Sequence, residues 1–220
     1  MTDEKPLRSP GKPGLRERHK QEKRQRIQQA AWQLFADKGF DATTTREVAA
    51  LAQVGSGTLF LYAKDKQDLL QLAYSEVLAE TREQAFRTMP AQGELLDTLM
   101  YLFQQFFQLF QQHPANARAY IKATLFPEPT QMYGPHSLQQ VAEFRRRLTE
   151  VLVHFQQQGA IAPQVSLAQA SRNFFALYFA TLCQWLSGLL PFEEAQGQAL
   201  RQALALQIQG LQQGVQGEAP

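Results

Sequence analysis

Cysteine is nearly absent from this chain. Cys183 stands alone among 220 residues, so no intrachain disulfide framework can form, and a reducing compartment is the natural setting. Long apolar runs are also scarce. The stretch from Phe174 to Leu190 is short of the roughly 20 residues that a membrane span needs, carries Gln184 inside it and lacks basic anchors beyond its C-terminal end. No membrane partner is expected. The first residues, MTDEKPLRSPGKPGL, hold charge, proline and glycine but no apolar signal segment, so the expected location is cytoplasmic. Histidine is sparse, and His19, His113, His136 and His154 show no metal-ligand spacing. With no second cysteine, phosphate-binding glycine loop or nucleophile elbow, the chain reads as a non-enzyme without metal or cofactor. Strict apolar–polar alternation is missing too, which excludes half-buried strands and leaves an all-α fold class.

What is present is unevenly distributed. Residues 1–66 hold 13 Lys/Arg against 8 Asp/Glu, whereas the remainder holds 9 against 12. A basic front half ahead of a mildly acidic rear half implies a polyanionic partner for the front alone. The charged stretch from Arg16 to Arg26 is either a solvated helix end or a phosphate-contacting segment.

Helix signals divide the chain into 1–15 (a flexible basic arm), 16–65, 66–214 and a tail, 215–220. Helix 1 carries Ile27, Ala30, Ala31, Leu34 and Phe35 on one face and ends at Gly39. Thr44 and Glu47 have the spacing of a capping box and open a short second helix. Gly55 supplies the turn, and a third helix runs from about Ser56 to Tyr62. Asp65 caps a long fourth helix. Five more are bounded by Pro114, by Pro127 to Pro135, by Gly159 to Pro163 and by Pro191, for about nine in all. Ser166 and Gln169 suit a second capping box, and Pro191 suits the first turn of the last helix.

Two short helices joined by a tight turn and set against a longer one form the unit that places its second helix in the DNA major groove. Ser56, Gly57 and Thr58 are small enough to approach bases, while Leu59 packs inward. Thr45 and Lys66 lie at helix N-termini, where amides and the helix dipole favour phosphate. Tyr62 adds a hydroxyl, and Arg46 reaches a phosphate or a guanine edge.

From Ile27 to Leu70 the chain resembles the DNA-binding domain of the TetR/AcrR regulators. The resemblance rests on Ala31, Leu34-Phe35, Gly39-Phe40, Thr43-Thr44-Thr45, Val48-Ala49, Val54, Gly57-Thr58-Leu59-Phe60, Tyr62, Lys66 and Leu69-Leu70. Three positions depart from the family pattern. Phe60, on the DNA-facing set, stands where tyrosine is usual, Ala63 where an aromatic is usual, and Gly55 where serine often caps the recognition helix. The loss of the aromatic at Ala63 predicts looser packing between helices 3 and 4. The resemblance implies a ligand-responsive regulator, a repressor more readily than an activator. It would bind a palindromic operator in double-stranded DNA as a homodimer, and a ligand would spread the two DNA-binding heads.

In the rear domain, helix 5 presents Phe103, Phe106, Phe107 and Phe110, on which Phe126, Tyr133, Phe144 and Tyr178 can converge. By spacing alone this is packed core; the resemblance implies a cavity for a small hydrophobic or aromatic effector. The eighth helix is apolar nearly all round and must be covered on two sides. With the ninth it suggests a four-helix dimer bundle built from Phe175, Leu182, Trp185, Leu189, Leu204 and Ile208. Cys183 reads as an inert core thiol. The competing function is a nucleoid or cell-division factor whose rear domain binds a protein partner.

Overall fold

The computed structural model describes residues 14–125 and 132–213. The tail, all of the expected arm before Gly14, and Phe126 lie outside the described residues. Within them every regular element is helical: α1 (Leu15–Ala42), α2 (Thr45–Leu51), α3 (Ser56–Leu59), α4 (Lys66–Thr88), α5 (Leu95–Gln111), α6 (Pro114–Leu125), α7 (Gly134–Gln157) and α8 (Leu167–Leu186). A last helical stretch follows as α9 (Phe192–Glu194), a π turn (Ala195–Ala199) and α10 (Leu200–Gln213).

The local signals hold at most boundaries. Gly39, at φ 81°, breaks α1 three residues before its end. Thr44 and Glu47 form the reciprocal capping box of α2, and Asp65 accepts the Asp68 amide to cap α4. Three details differ. The turn between α2 and α3 takes its left-handed residue at Gln53, φ 54°, while Gly55 has an ordinary φ of −67° and serves as the N-cap of α3. The α-helical part of the third helix stops at Leu59; Leu61 and Tyr62 then bond back three residues, to the Thr58 and Leu59 carbonyls, in a tighter coil. Ser166 caps α8, but the Gln169 side chain donates onward to Asn173 at 2.8 Å, so the second capping box is only half formed. Pro191 is the N-cap of α9, one position earlier than expected.

Two packed units result. Ile27, Ala31 and Phe35 of α1 meet Val48, Ala49 and Leu59 in the small head, and all are buried. Ala63 is fully buried as well. In the rear unit α5 is the central rod, with Leu99, Leu102, Phe103 and Phe107 fully sealed. Each such side chain contributes about 1.5–3 kcal/mol by leaving water.

Polar bonds join head to rear unit. Asn116 on α6 is buried; its amide donates to the Phe35 carbonyl at 2.6 Å and its oxygen accepts the Phe40 amide at 2.8 Å. Those are the backbone groups around the Gly39 break, where the intrahelical ladder is interrupted. Gln28 on α1 donates to the Leu72 carbonyl of α4 at 3.0 Å.

The dimer assignment needs correction. Leu182, Leu204 and Ile208 are buried within the single chain, because α8 and α10 pack against each other and against α5 and α7. Trp185 is half-buried against Phe107 and Phe192. Of the expected set, Leu189 is the widely exposed member, at 76%. Helix α8 turns Arg172, Ala176, Ala180 and Gln184 outward, and α10 turns out Gln202, Leu206 and Gln209. Cys183 is half-buried, not sealed in the core, and burial raises the thiol pKa.

Candidate nucleic-acid interface and apolar cavity

The face of α3 and its continuing coil is set by helical spacing. Leu59 and Ala63, four apart, point inward; Ser56, Gly57, Phe60 and Leu61 are exposed on the other side. Arg46 is exposed on α2, and Thr45 and Thr58 are half-buried. Six of the eight expected DNA-facing residues, Thr45, Arg46, Ser56, Gly57, Thr58 and Phe60, are thus exposed or half-buried in the head. The other two are already engaged. Tyr62 donates its hydroxyl to the Lys20 carbonyl at 3.3 Å. Lys66 donates to the Asp41 carbonyl at 2.9 Å, with its ammonium 4.5 Å from the centre of the Phe40 ring. A lysine held in this way keeps two N–H donors for a phosphate.

The α2 cap is electrostatically reinforced. Glu47 receives a bond from Lys38 and two from Thr44, its amide and its hydroxyl, both at 2.9 Å. The Lys38 ammonium foremost, then the Thr44 bonds, lower its pKa to about 2.

Behind the head lies a cavity of about 80 Å³ lined by α4, α5, α6, α7 and α8. Of the expected pocket residues, Phe106, Phe110, Phe144 and Tyr178 line it. Phe103 and Phe107 are stacked behind that wall in the core, Phe103 parallel to Tyr178 at 4.7 Å. Tyr133 is elsewhere, bonded to the head. Phe175 and Leu182, expected at a dimer interface, face this space instead, together with Phe179, Tyr120 and Ile121. Spacing could not tell these faces apart, since α8 is apolar over most of its circumference. Burial raises the phenol pKa of both Tyr120 and Tyr178.

Four polar side chains in the lining, Arg82, Thr124, Ser137 and Gln140, were not anticipated. Arg82 donates to the Gln140 oxygen, and Gln140 lies 3.3 Å from the His136 ring nitrogen. Burial first, and then the positive charge of Arg24, lower the His136 pKa. Arg24 belongs to the basic stretch of α1, yet its Nε is buried and has no hydrogen-bonding partner among the described residues. Among the described residues no group of three or more His, Cys, Asp or Glu is placed to hold a metal, and no helix is long and apolar enough to cross a membrane.

A three-helix head with an accessible second short helix, joined to a larger helical unit around an apolar cavity, defines the class of helix-turn-helix regulators. Residues 27–73 match the profile of the bacterial regulatory proteins, tetR family. The head of this chain is therefore similar to the DNA-binding domain of that family. Curated relatives match in the head: the uncharacterized HTH-type transcriptional regulator YvkB of Bacillus subtilis (strain 168) is 45% identical over 51 residues, 23% of this chain and 27% of that protein. The regulator HbdR of Aromatoleum sp. (strain CIB) is 39% identical over 64 residues, 29% of this chain and 28% of that protein. The match thus spans under a third of either relative. Solved structures extend the likeness to both units. FadR of Thermus thermophilus, a TetR-family transcriptional repressor in complex with lauroyl-CoA, aligns with a TM-score of 0.64 at 27% identity, over 90% of this chain and 98% of that one. The fatty acid degradation regulator FadR of Bacillus halodurans shares the fold, with a TM-score of 0.63 at 17% identity over 85% and 98%.

Proposed function

We propose that this protein is a ligand-responsive DNA-binding repressor that grips a palindromic operator as a homodimer and releases it when an apolar effector enters the rear domain. The observation that carries the reading is one chain holding both an exposed second short helix in its head and a separate aromatic-lined cavity. Ser56, Gly57, Thr58 and Phe60 would meet bases, with Arg46 on a base edge or a phosphate. Thr45, Tyr62 and Lys66 would hold phosphates. Binding, not catalysis, is the activity.

The cavity supports an effector sensor over a nucleoid or cell-division factor. Its 80 Å³ is far below the roughly 300–1,000 Å³ of ligand sites, so an occupant must push the walls apart. A ligand that binds only a widened state draws the protein into it, and the effect on DNA affinity is bounded by that preference. Two of the walls, α4 and α6, also hold the head, so widening would tilt it. The lauroyl-CoA in the Thermus thermophilus FadR structure makes a long-chain acyl group a reasonable first effector.

Dimerisation would use the outward edges of α8 and α10. Ala176 and Ala180 permit close helix approach, and Leu206 and Leu189 are exposed apolar side chains. The test is a gel shift on DNA flanking the protein's own gene, repeated with a panel of apolar ligands that includes twelve-carbon acyl compounds. A retarded band lost on adding one ligand is the expected result. A protein that retards no DNA, or a band indifferent to every ligand, contradicts the proposal.

A further inference from the structure

The unexpected basic cluster lies where α1, α4 and α7 meet, and it is continuous with the cavity. Arg82 and Gln140 belong to both: they line the apolar space, bond to each other and lead to His136. Arg82 has a side chain only 12% exposed. Arg24, approaching from the head, acts electrostatically on both His136 and Tyr133. Arg82 and Gln140 therefore carry polar nitrogen into the wall of a mainly apolar chamber, His136 lies next to Gln140, Arg24 acts on His136 from α1, and the start of α7 adds the positive end of its dipole.

The carboxylates nearby are shared with other partners and so neutralise this cluster only in part. Glu83 is 3.4 Å from Arg82 Nε, but it is held more closely by Arg147, at 2.6 Å. Glu143 is paired with Arg146 at 2.7 Å. Asp68 is taken up by the backbone amides of Lys64 and Met132, each at 2.9 Å. Among the described residues Arg24 Nε is left buried without a partner, a state that a bound anion would relieve.

We propose that Arg24, Arg82 and His136 form the site for the anionic head of an amphipathic effector whose alkyl tail enters the cavity. The inference rests on the effector-sensor reading and refines it to a ligand of defined polarity. An effector seated there bridges the head, through Arg24 of α1, and the rear domain, through Arg82 and His136. Both a carboxylate and a phosphate have the required chemistry.

Calorimetric titration of the full-length protein separates the possibilities, using laurate, lauroyl-CoA, 1-dodecanol and dodecyltrimethylammonium below their micelle concentrations, with coenzyme A as the tailless control. At least one of the two anionic amphiphiles should bind about tenfold or more tighter than dodecanol, as a charge-assisted contact predicts, and the ammonium should bind worst. Laurate alone identifies a carboxylate head; lauroyl-CoA alone identifies the phosphates. Arg24→Gln and Arg82→Gln should each erase most of that preference, and Arg82→Lys should restore part of it. Dodecanol equal to the anions, or a preference that survives both glutamine variants, overturns the inference and leaves the apolar sensor standing. If none of the twelve-carbon probes binds, the sensor reading fails and takes the inference with it.

Discussion

The hydroxyl of Tyr133 donates to the backbone carbonyl of Tyr62 at 2.8 Å, tying the entrance of α7 to the end of the recognition segment. The neighbouring Met132 amide bonds to buried Asp68, next to the α4 cap, at 2.9 Å. Helix α7 also forms a wall of the cavity, so a displaced α7 pulls on the DNA-binding head through these two bonds. Tyr133→Phe should cost about 0.5–1.5 kcal/mol of stability, read by thermal denaturation, and should weaken the response of DNA affinity to effector. A variant with an unaltered effector response would show that the bond is structural only.

The left-handed backbone positions predict substitutions of opposite sign. Gly39→Ala forces a side chain into φ 81° and should destabilise by about 1–2 kcal/mol. Gln53→Gly removes the same kind of strain at φ 54° and should be neutral or stabilising by up to about 1 kcal/mol. Urea unfolding midpoints would check both, and a destabilised Gln53→Gly would contradict the account.

Acid should loosen the head by way of Glu47. Its folded pKa, about 2, is below the ordinary 4.5, so its stabilising contribution is complete above pH 4.5 and is lost as the pH falls from there to 2. Glu47→Gln should remove this part of the pH dependence across that window. Thr44→Ala, which deletes the cap itself, should cost about 1 kcal/mol at neutral pH. Chemical denaturation at a series of pH values measures both effects.

Ala180→Glu on α8 and Leu206→Glu on α10 should yield folded monomers with weak operator binding. Both positions face solvent in the single chain, so neither substitution disturbs its core. Sedimentation equilibrium decides; dimers that persist in both variants would remove these faces from the proposed interface.

What was legible in the sequence was local. Thr44, Asp65 and Gly39 act on backbone groups within a few residues, and each is where its chemistry requires. The inward faces of α1 and α5 also followed from spacing, because each has one clear apolar stripe. Helix α8 has none, so spacing could not show that Phe175 and Leu182 turn toward the cavity. The placement of Arg24 depends on where α7 passes, a fact held by no short segment. Gln53 was overlooked because glycine is the usual left-handed residue, and the nearby Gly55 drew the assignment.

The central claim is that the exposed edge of α3 reads DNA as half of a symmetric pair. Selection of bound duplexes from a random library, performed with the wild type and with Thr58→Ala, tests it most directly. The account predicts enrichment of a palindrome with half-sites about one helical turn, or a multiple of it, apart. It also predicts altered preference at specific positions for Thr58→Ala, at a cost of about 1–3 kcal/mol. A library that yields no palindrome, or one enriched identically by both proteins, would contradict it.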